Sequence, residues 1–251
     1  MRKPVIAGNW KMYKTDDEAV SFARDFLPKA AGVDAVEIVL APSYPSLAAL
    51  ISAVAGSGIK IAAQNMHFAE EGAFTGEVSA DMLLAIGVSH VIIGHSERRQ
   101  YFREDDEIVN MKTKAAIAKG IVPIVCVGET LEEREKGETN NVVRIQVERG
   151  LKNTAINEPS SLIIAYEPVW AIGTGKTATP EQAQEVHAFV RGLLSETFGE
   201  DTARGMRILY GGSVKPDNIK ALMAKSDIDG GLVGGASLDP ASFEKLVKFY
   251  M

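Results

Sequence analysis

Eight short apolar runs recur along the 251 residues: PVIAG (4–8), VEIVLA (36–41), IKIAA (59–63), HVIIG (90–94), IVPIVCV (121–127), SLIIAY (161–166), MRILY (206–210) and DGGLVGG (229–235). Most are continuous rather than alternating, the pattern of parallel strands covered on both faces. Helical periodicities lie between them. Over 16–29, Ala19, Phe22, Ala23, Phe26 and Leu27 return at intervals of three and four and form one apolar stripe. Over 179–198, Thr179 stands as N-cap, Pro180 takes the first helical position and Gln182 completes a capping box, ahead of a stripe of Ala183, Val186, Val190, Leu193 and Leu194. Helix signals also cover 45–56, 105–119, 131–152, 215–224 and 240–249, with a weaker one over 79–86. Such alternation means βαβ units, and eight of them in a chain of this length predict a closed (β/α)8 barrel of the α/β class. A doubly wound open sheet usually needs fewer strands and often a second domain. No linker or low-complexity tract divides the chain, so residues 1–251 read as one domain.

Composition narrows the partners. Lys and Arg total 27 against 33 Asp and Glu, and the net charge of −6 comes with no basic block, which disfavours nucleic acid or an anionic membrane. A local pocket can still oppose that sign and take a small anion. Cys126 is the only cysteine, so no intrachain disulfide and no zinc-type cysteine cluster can form, which suits a reducing compartment. No secretory core precedes Asn9, and no apolar run approaches the roughly 18 residues of a membrane helix, so a cytoplasmic location is expected.

In a barrel of this kind the active site lies at the C-terminal ends of the strands. That rule selects Asn9 and Lys11 after the first strand, Asn65 after the third, His95, Ser96 and Glu97 after the fourth, and Glu129 after the fifth. Glu167 follows the sixth, Ser213 the seventh, and Gly234 with Gly235 the eighth. Two nearby motifs fail. GTGKTA (173–178) has the spacing of a dinucleotide turn but starts well beyond the strand, and a phosphate-cradling P-loop would need glycine where Trp170 stands. GHSER (94–98) begins as a nucleophile elbow, yet Arg98 holds the position where a small residue is required.

AGNWKMY at the start, IIGHSERR after the fourth strand, AYEPVWAIGTGK after the sixth, and YGGSV and LVGGASL toward the end resemble the triosephosphate isomerase family, in matching order and spacing from residue 5 to the last helix. The resemblance implies interconversion of dihydroxyacetone phosphate and D-glyceraldehyde 3-phosphate through an enediol(ate), in glycolysis and gluconeogenesis, without metal or organic cofactor. It makes Glu167 the base and His95 the electrophile, with Lys11 and Asn9 completing the charged pocket; a glutamate base beside a neutral histidine is this family's own arrangement. Glu97 is then a supporting carboxylate that holds Lys11 or relays protons, or else a structural ion-pair partner. For phosphate the family implies Asn9, Lys11, Gly173, Ser213, Gly234 and Gly235, two glycine-bearing loops where the backbone can approach an anion.

The residue types suit this chemistry on their own terms. Moving a proton between carbons beside a carbonyl needs a base over the C–H bonds and a donor for the oxygen that gains charge. Glu167 and His95 are such types, and Lys11 is a fixed positive charge. The bland readings are a solvated strand-end carboxylate, a structural histidine and a surface lysine. Cys126 reads as a small buried hydrophobe and His187 as packing; His67 and His90 carry no assignment.

The segment after Glu167 reads as a closing lid of Pro168, Val169, Trp170, Ala171, Ile172, Gly173, Thr174, Gly175, Lys176, Thr177 and Ala178. Pro168 and Trp170 would stiffen one hinge and Lys176, Thr177 and Ala178 would form the other, so that Ala171 and Ile172 cover the site. The long loop 64–79 resembles the family's interlocking dimer loop, its tip Phe74, Thr75 and Gly76 entering a second subunit beside Asn9 and Lys11. Alternatives are another phosphate-binding barrel isomerase, or a barrel that binds phosphate without turnover.

Overall fold

A computed structural model describes residues 2–172 and 177–251. Its eight strands are β1 (Val5–Asn9), β2 (Glu37–Ala41), β3 (Lys60–Ala63), β4 (His90–Ile93), β5 (Val122–Val127), β6 (Ile163–Tyr166), β7 (Arg207–Tyr210) and β8 (Gly230–Val233). All pair in parallel and in chain order, and β1 closes the ring against β8 with Val5 opposite Gly230. Around them run α1 (Asp16–Ala30), α2 (Leu47–Ala53), α3 (Ala80–Ala85), α4 (Ser96–Phe102), α5 (Asp106–Ala118), α6 (Leu131–Glu135), α7 (Thr139–Gly150), α8 (Pro180–Phe198), α9 (Glu200–Gly205), α10 (Ile219–Met223) and α11 (Pro240–Val247). Among the described residues no helix is long and apolar enough to cross a membrane.

The unbroken apolar runs are explained by two cores. Val5, Ala7, Val39, Ala41, Ala62, Ile92, Ile124, Cys126, Ile163, Ala165, Leu209 and Leu232 fill the barrel interior. Their neighbours in the same strands, Ile6, Leu40, Ile93, Val125, Ile164 and Ile208, face outward and join the helix stripes, among them Phe22, Phe26, Val109, Val147, Val190 and Phe243. A strand puts successive side chains on opposite faces, so a strand covered twice has no polar position to offer. Gly8 in β1 must lack a side chain, because a Cβ there would press on Ser237 and Phe243.

A network of ion pairs closes the N-terminal end of the barrel, away from the strand ends that build sites. Glu37 accepts from Arg207 Nη1 at 3.0 Å and lies 3.2 Å from His90 Nε2, while Asp229 takes Arg191 Nη2 at 2.6 Å and also pairs with Arg2. The hydrogen bond from His90 is the main reason the Glu37 carboxyl is held down at about 2.

Helix boundaries depart from the sequence reading in instructive places. The segment 131–152 is two helices, α6 and α7, broken where Gly137 turns with φ 75°. The signal over 45–56 resolves into a tight turn at Tyr44–Ser46 followed by α2, and the one over 215–224 shortens to α10. Neither α4 nor α9 is anticipated; α4 buries none of its residues, so it has no apolar stripe to read. The capping box of Thr179 and Gln182 forms as expected and opens α8. His187 in α8 is wholly buried beside the rings of Tyr166 and Tyr210, with Nδ1–H donated to the Asp227 carbonyl at 3.1 Å.

Candidate active site

At the C-terminal mouth, Asn9 is the last residue of β1, and its Oδ1 accepts the Lys11 N–H at 3.1 Å. Lys11 sits in the left-handed region at φ 53°, an unusual state for a side chain of its size that needs support from its surroundings. Gln64 gives that support: its amide donates to the carbonyls of Lys11 and Ala41, both at 2.8 Å. The Lys11 ammonium pairs with Glu97.

After β4 the chain turns at Gly94, φ 68°, and His95 caps α4. Its Nδ1 accepts the Glu97 N–H at 3.2 Å, so that nitrogen is an acceptor and the ring's proton belongs on Nε2. Nε2 stands 2.9 Å from Glu167 Oε1. Glu167, directly after β6, also accepts the Ser96 N–H at 2.9 Å and lies 3.4 Å from the Ser96 hydroxyl. It is only 2% exposed. Burial works against charge on both partners, and their contact outweighs it: the Glu167 carboxylate raises the proton affinity of His95, and His95, with the Ser96 N–H and the Cys126 thiol, lowers the pKa of Glu167. Any molecule seated between the two removes that mutual support and leaves burial to favour a neutral ring.

These groups share a cavity of about 280 Å³. It brings together Asn9, Lys11, His95, Glu167, Ser213, Gly234 and Gly235 of the strand-end residues, with Ile172 of the lid, and leaves out Asn65, Ser96, Glu97 and Glu129, which the same rule had selected. It adds the Gly211 and Gly212 pair of the YGGS loop, and Val214, Lys215, Leu232 and Ala236, which the sequence reading had not assigned individually. Gly211 and Gly212 must be bare, since a Cβ on the first would meet Glu167 Cγ and on the second the Tyr210 ring and hydroxyl. Leu232 was predicted only as strand, and its position as an inward residue near the end of β8 is the signal for it. Lys11 and Lys215 bring two cations to a chain of net charge −6. Gly234 leads into a tight turn at Gly235–Ser237, whose N-terminus looks into the cavity.

Glu97 stands outside this cavity, in an adjoining groove of about 370 Å³ with Asn9, Lys11, Tyr44, Asn65 and Phe102. Of the lid, Pro168 and Ala171 are buried, a tight turn spans Val169–Ala171, Thr177 is exposed and Ala178 buried. Gly173, Thr174, Gly175 and Lys176 lie outside the described residues. Glu129 anchors the first hinge: its buried carboxylate accepts from the Trp170 indole at 2.9 Å and the Tyr166 hydroxyl at 3.0 Å, and pairs with Arg134 at 3.0 Å. Arg134 also lies over the Trp170 ring. Phe74, Thr75 and Gly76 are exposed at the loop tip, with His67 stacked between Phe68 and Phe74.

The family model of triosephosphate isomerase matches residues 4–250. Similar chains named triosephosphate isomerase come from Carboxydothermus hydrogenoformans, 59% identical over 248 residues, and from Citrifermentans bemidjiense, 58% identical over 249, each alignment covering 99% of both chains. One from Solibacter usitatus is 56% identical over 249 residues, 99% of this chain and all of its own. A cavity with a carboxylate, a histidine and a lysine at three strand ends, in a chain matched over nearly its whole length, leads to one conclusion: this chain belongs to the triosephosphate isomerase family.

Proposed function

We propose that Glu167 is the base that carries the proton between the two carbons of the triose phosphate, and that His95 stabilises the oxygen that gains charge. The chain is a triose-phosphate isomerase by family, and its substrate is a phosphorylated triose. The observation that carries the residue assignment is the 2.9 Å approach of Glu167 Oε1 to His95 Nε2 in the cavity wall. One group in that contact is acidic, the other has a proton fixed on the facing nitrogen, and both face the same space. A substrate between them would meet a base on one side and a donor on the other. Glu167 must leave the Ser96 N–H to reach a carbon, and the substrate's own bulk supplies the reason for it to move.

The neutral ring is the useful state. The Glu97 N–H occupies Nδ1 throughout, so His95 donates from Nε2 and can take the proton back without crossing to a cation. Lys11, next to Gly234, offers its charge to the enediolate oxygen and to the phosphate. Ser213, Gly234 and Gly235 supply phosphate donors, with Gly173 joining them from the lid, and Asn9 holds the Lys11 backbone. Glu97 restrains the Lys11 ammonium. Residues 168–178 act as a lid, with Ile172 and Leu232 forming apolar walls beside the base. The reading extends to one domain over residues 1–251, a cytoplasmic setting and a homodimer that docks the Phe74, Thr75 and Gly76 tip into the groove beside Lys11.

Glu167→Gln keeps the size and loses the base. Its kcat in a coupled isomerase assay is expected to fall by about two to four decades, with the melting temperature little changed. Turnover near that of the parent enzyme would overturn the assignment.

A further inference from the structure

We infer that Gln146, on the outer face of the barrel, is a positioning residue for Glu167. The inference rests on Glu167 as base and goes beyond it by naming what holds that base in register.

The argument starts where β5 runs out. Residues 127 and 129 face β6: the Val127 carbonyl accepts the Glu167 N–H at 2.7 Å, and the Glu129 carbonyl accepts the Val169 N–H at 3.1 Å. These two bonds are the rails on which Glu167 and the first lid hinge sit. Gly128 lies between them, and alternation along an extended chain turns its N–H and C=O the other way, toward β4. No strand is there to meet them. The β4–β5 ladder ends at Ile93 opposite Val125, because the chain of β4 turns at Gly94 to present His95 and start α4.

Gln146 takes the place of the missing strand. Its Oε1 accepts the Gly128 N–H at 2.7 Å and its Nε2 donates to the Gly128 carbonyl at 3.1 Å, a two-point amide-to-peptide bracket reaching in from α7. Neither Gly128 group has another hydrogen bond among the described residues. Arg99 does the same one step earlier, donating to the Cys126 carbonyl at 3.2 Å. On its other side Gly128 is pressed against the Glu167 backbone so closely that a Cβ would collide with the Glu167 carbonyl. Any shift of the Gly128 peptide is therefore passed on to Glu167. Packing offers little to oppose it, since Gly128, Gln146, Val169 and Glu167 border one cavity of about 340 Å³.

The test uses the full-length enzyme with Gln146→Leu and Gln146→Glu, beside Glu167→Gln. Leucine fills similar space and leaves the Gly128 peptide unpaired. Displacing a base by a fraction of an ångström acts on the chemical step, so kcat is expected to fall about 10- to 100-fold while KM for glyceraldehyde 3-phosphate and inhibition by inorganic phosphate stay within about twofold. Glutamate at this place restores the bracket only when protonated, as a carboxylic acid has the amide's donor and acceptor and a carboxylate does not. The kcat of Gln146→Glu relative to the parent enzyme is expected to rise as pH is lowered from about 8 to about 5.5.

A lowered melting temperature with parental kcat in Gln146→Leu would make the bracket merely structural and overturn the inference. If that variant fails to fold, a flat pH ratio for Gln146→Glu overturns it instead. An inactive Glu167→Gln beside a fully active Gln146→Leu refutes the bracket alone, whereas an active Glu167→Gln removes the base assignment itself.

Discussion

His187 shows how a single buried side chain sets a limit on the whole chain's tolerance of acid. Burial lowers its pKa to about 4, and among the described residues its Nε2 has no hydrogen-bond partner that could share a second proton. The unfolded chain takes up that proton near 6.5, so between those values the unfolded state binds more protons and stability falls as pH falls. The full loss is roughly 3 kcal/mol, complete once the pH is below about 4. Glu37 adds a second loss further down, between its ordinary value and about 2. Urea midpoints measured from about pH 7 to about pH 4 are expected to fall steadily. His187→Asn, which can still donate to Asp227 but does not titrate, should flatten that slope; an unchanged slope would remove His187 as its source. At this scale the sequence was legible where a rule gave an address: Glu167 and His95 stood out because they follow apolar strands. Ser96 and Glu129 had the same address but no role, and Gln64 and Gln146 had neither, since each acts through a contact with a residue far along the chain.

Elements were legible in proportion to what they bury. Seven of the eight strands lie within the apolar runs read from the sequence and β1 runs one residue past its own, their polar residues standing only at strand ends, whereas α4, which buries none of its residues, is held by Arg98 on Glu104 and Arg99 on Asp106 rather than by a stripe. That helix nevertheless orients His95. The lid has the opposite character: its first hinge is fastened by Glu129, Tyr166, Arg134 and Trp170, a cluster built on buried polar contacts. In the function proposed above, a lid fastened at this hinge would move as one piece and cover an enediol phosphate that otherwise expels its phosphate. Deleting residues 172–176 is expected to divert product toward methylglyoxal, read by trapping the dicarbonyl. Parental product partition in the deletion would refute the protective role.

For the molecule as a whole, exposed apolar groups stand at the loop tip, with Phe74, and in the groove, which Met12 and Phe102 line. Phe74, Tyr101, Phe102, Met12 and Tyr13 are each more than two-fifths exposed, on loops and at the end of α4. Exposed apolar groups of that kind ask for a cover, and the proposed homodimer would supply one, a second copy bringing both tip and groove. Thr75→Arg is expected to yield monomers in sedimentation equilibrium, with much reduced kcat because the groove beside Lys11 is left open. A dimeric variant with parental turnover would discard this docking. The overall architecture was legible in the sequence because eight repeats and one length admit few closed solutions; the groove was not, since it exists only where four separate loops meet.

Closure of β1 on β8 has a consequence for how the chain comes to be. Val5 of β1 finds its partner Gly230 only after the seven other strands have been made. Until then β1 and β7 are both bare edges, lined with apolar residues and open to other chains. A ring has no end strand when complete, and two of them at every earlier moment.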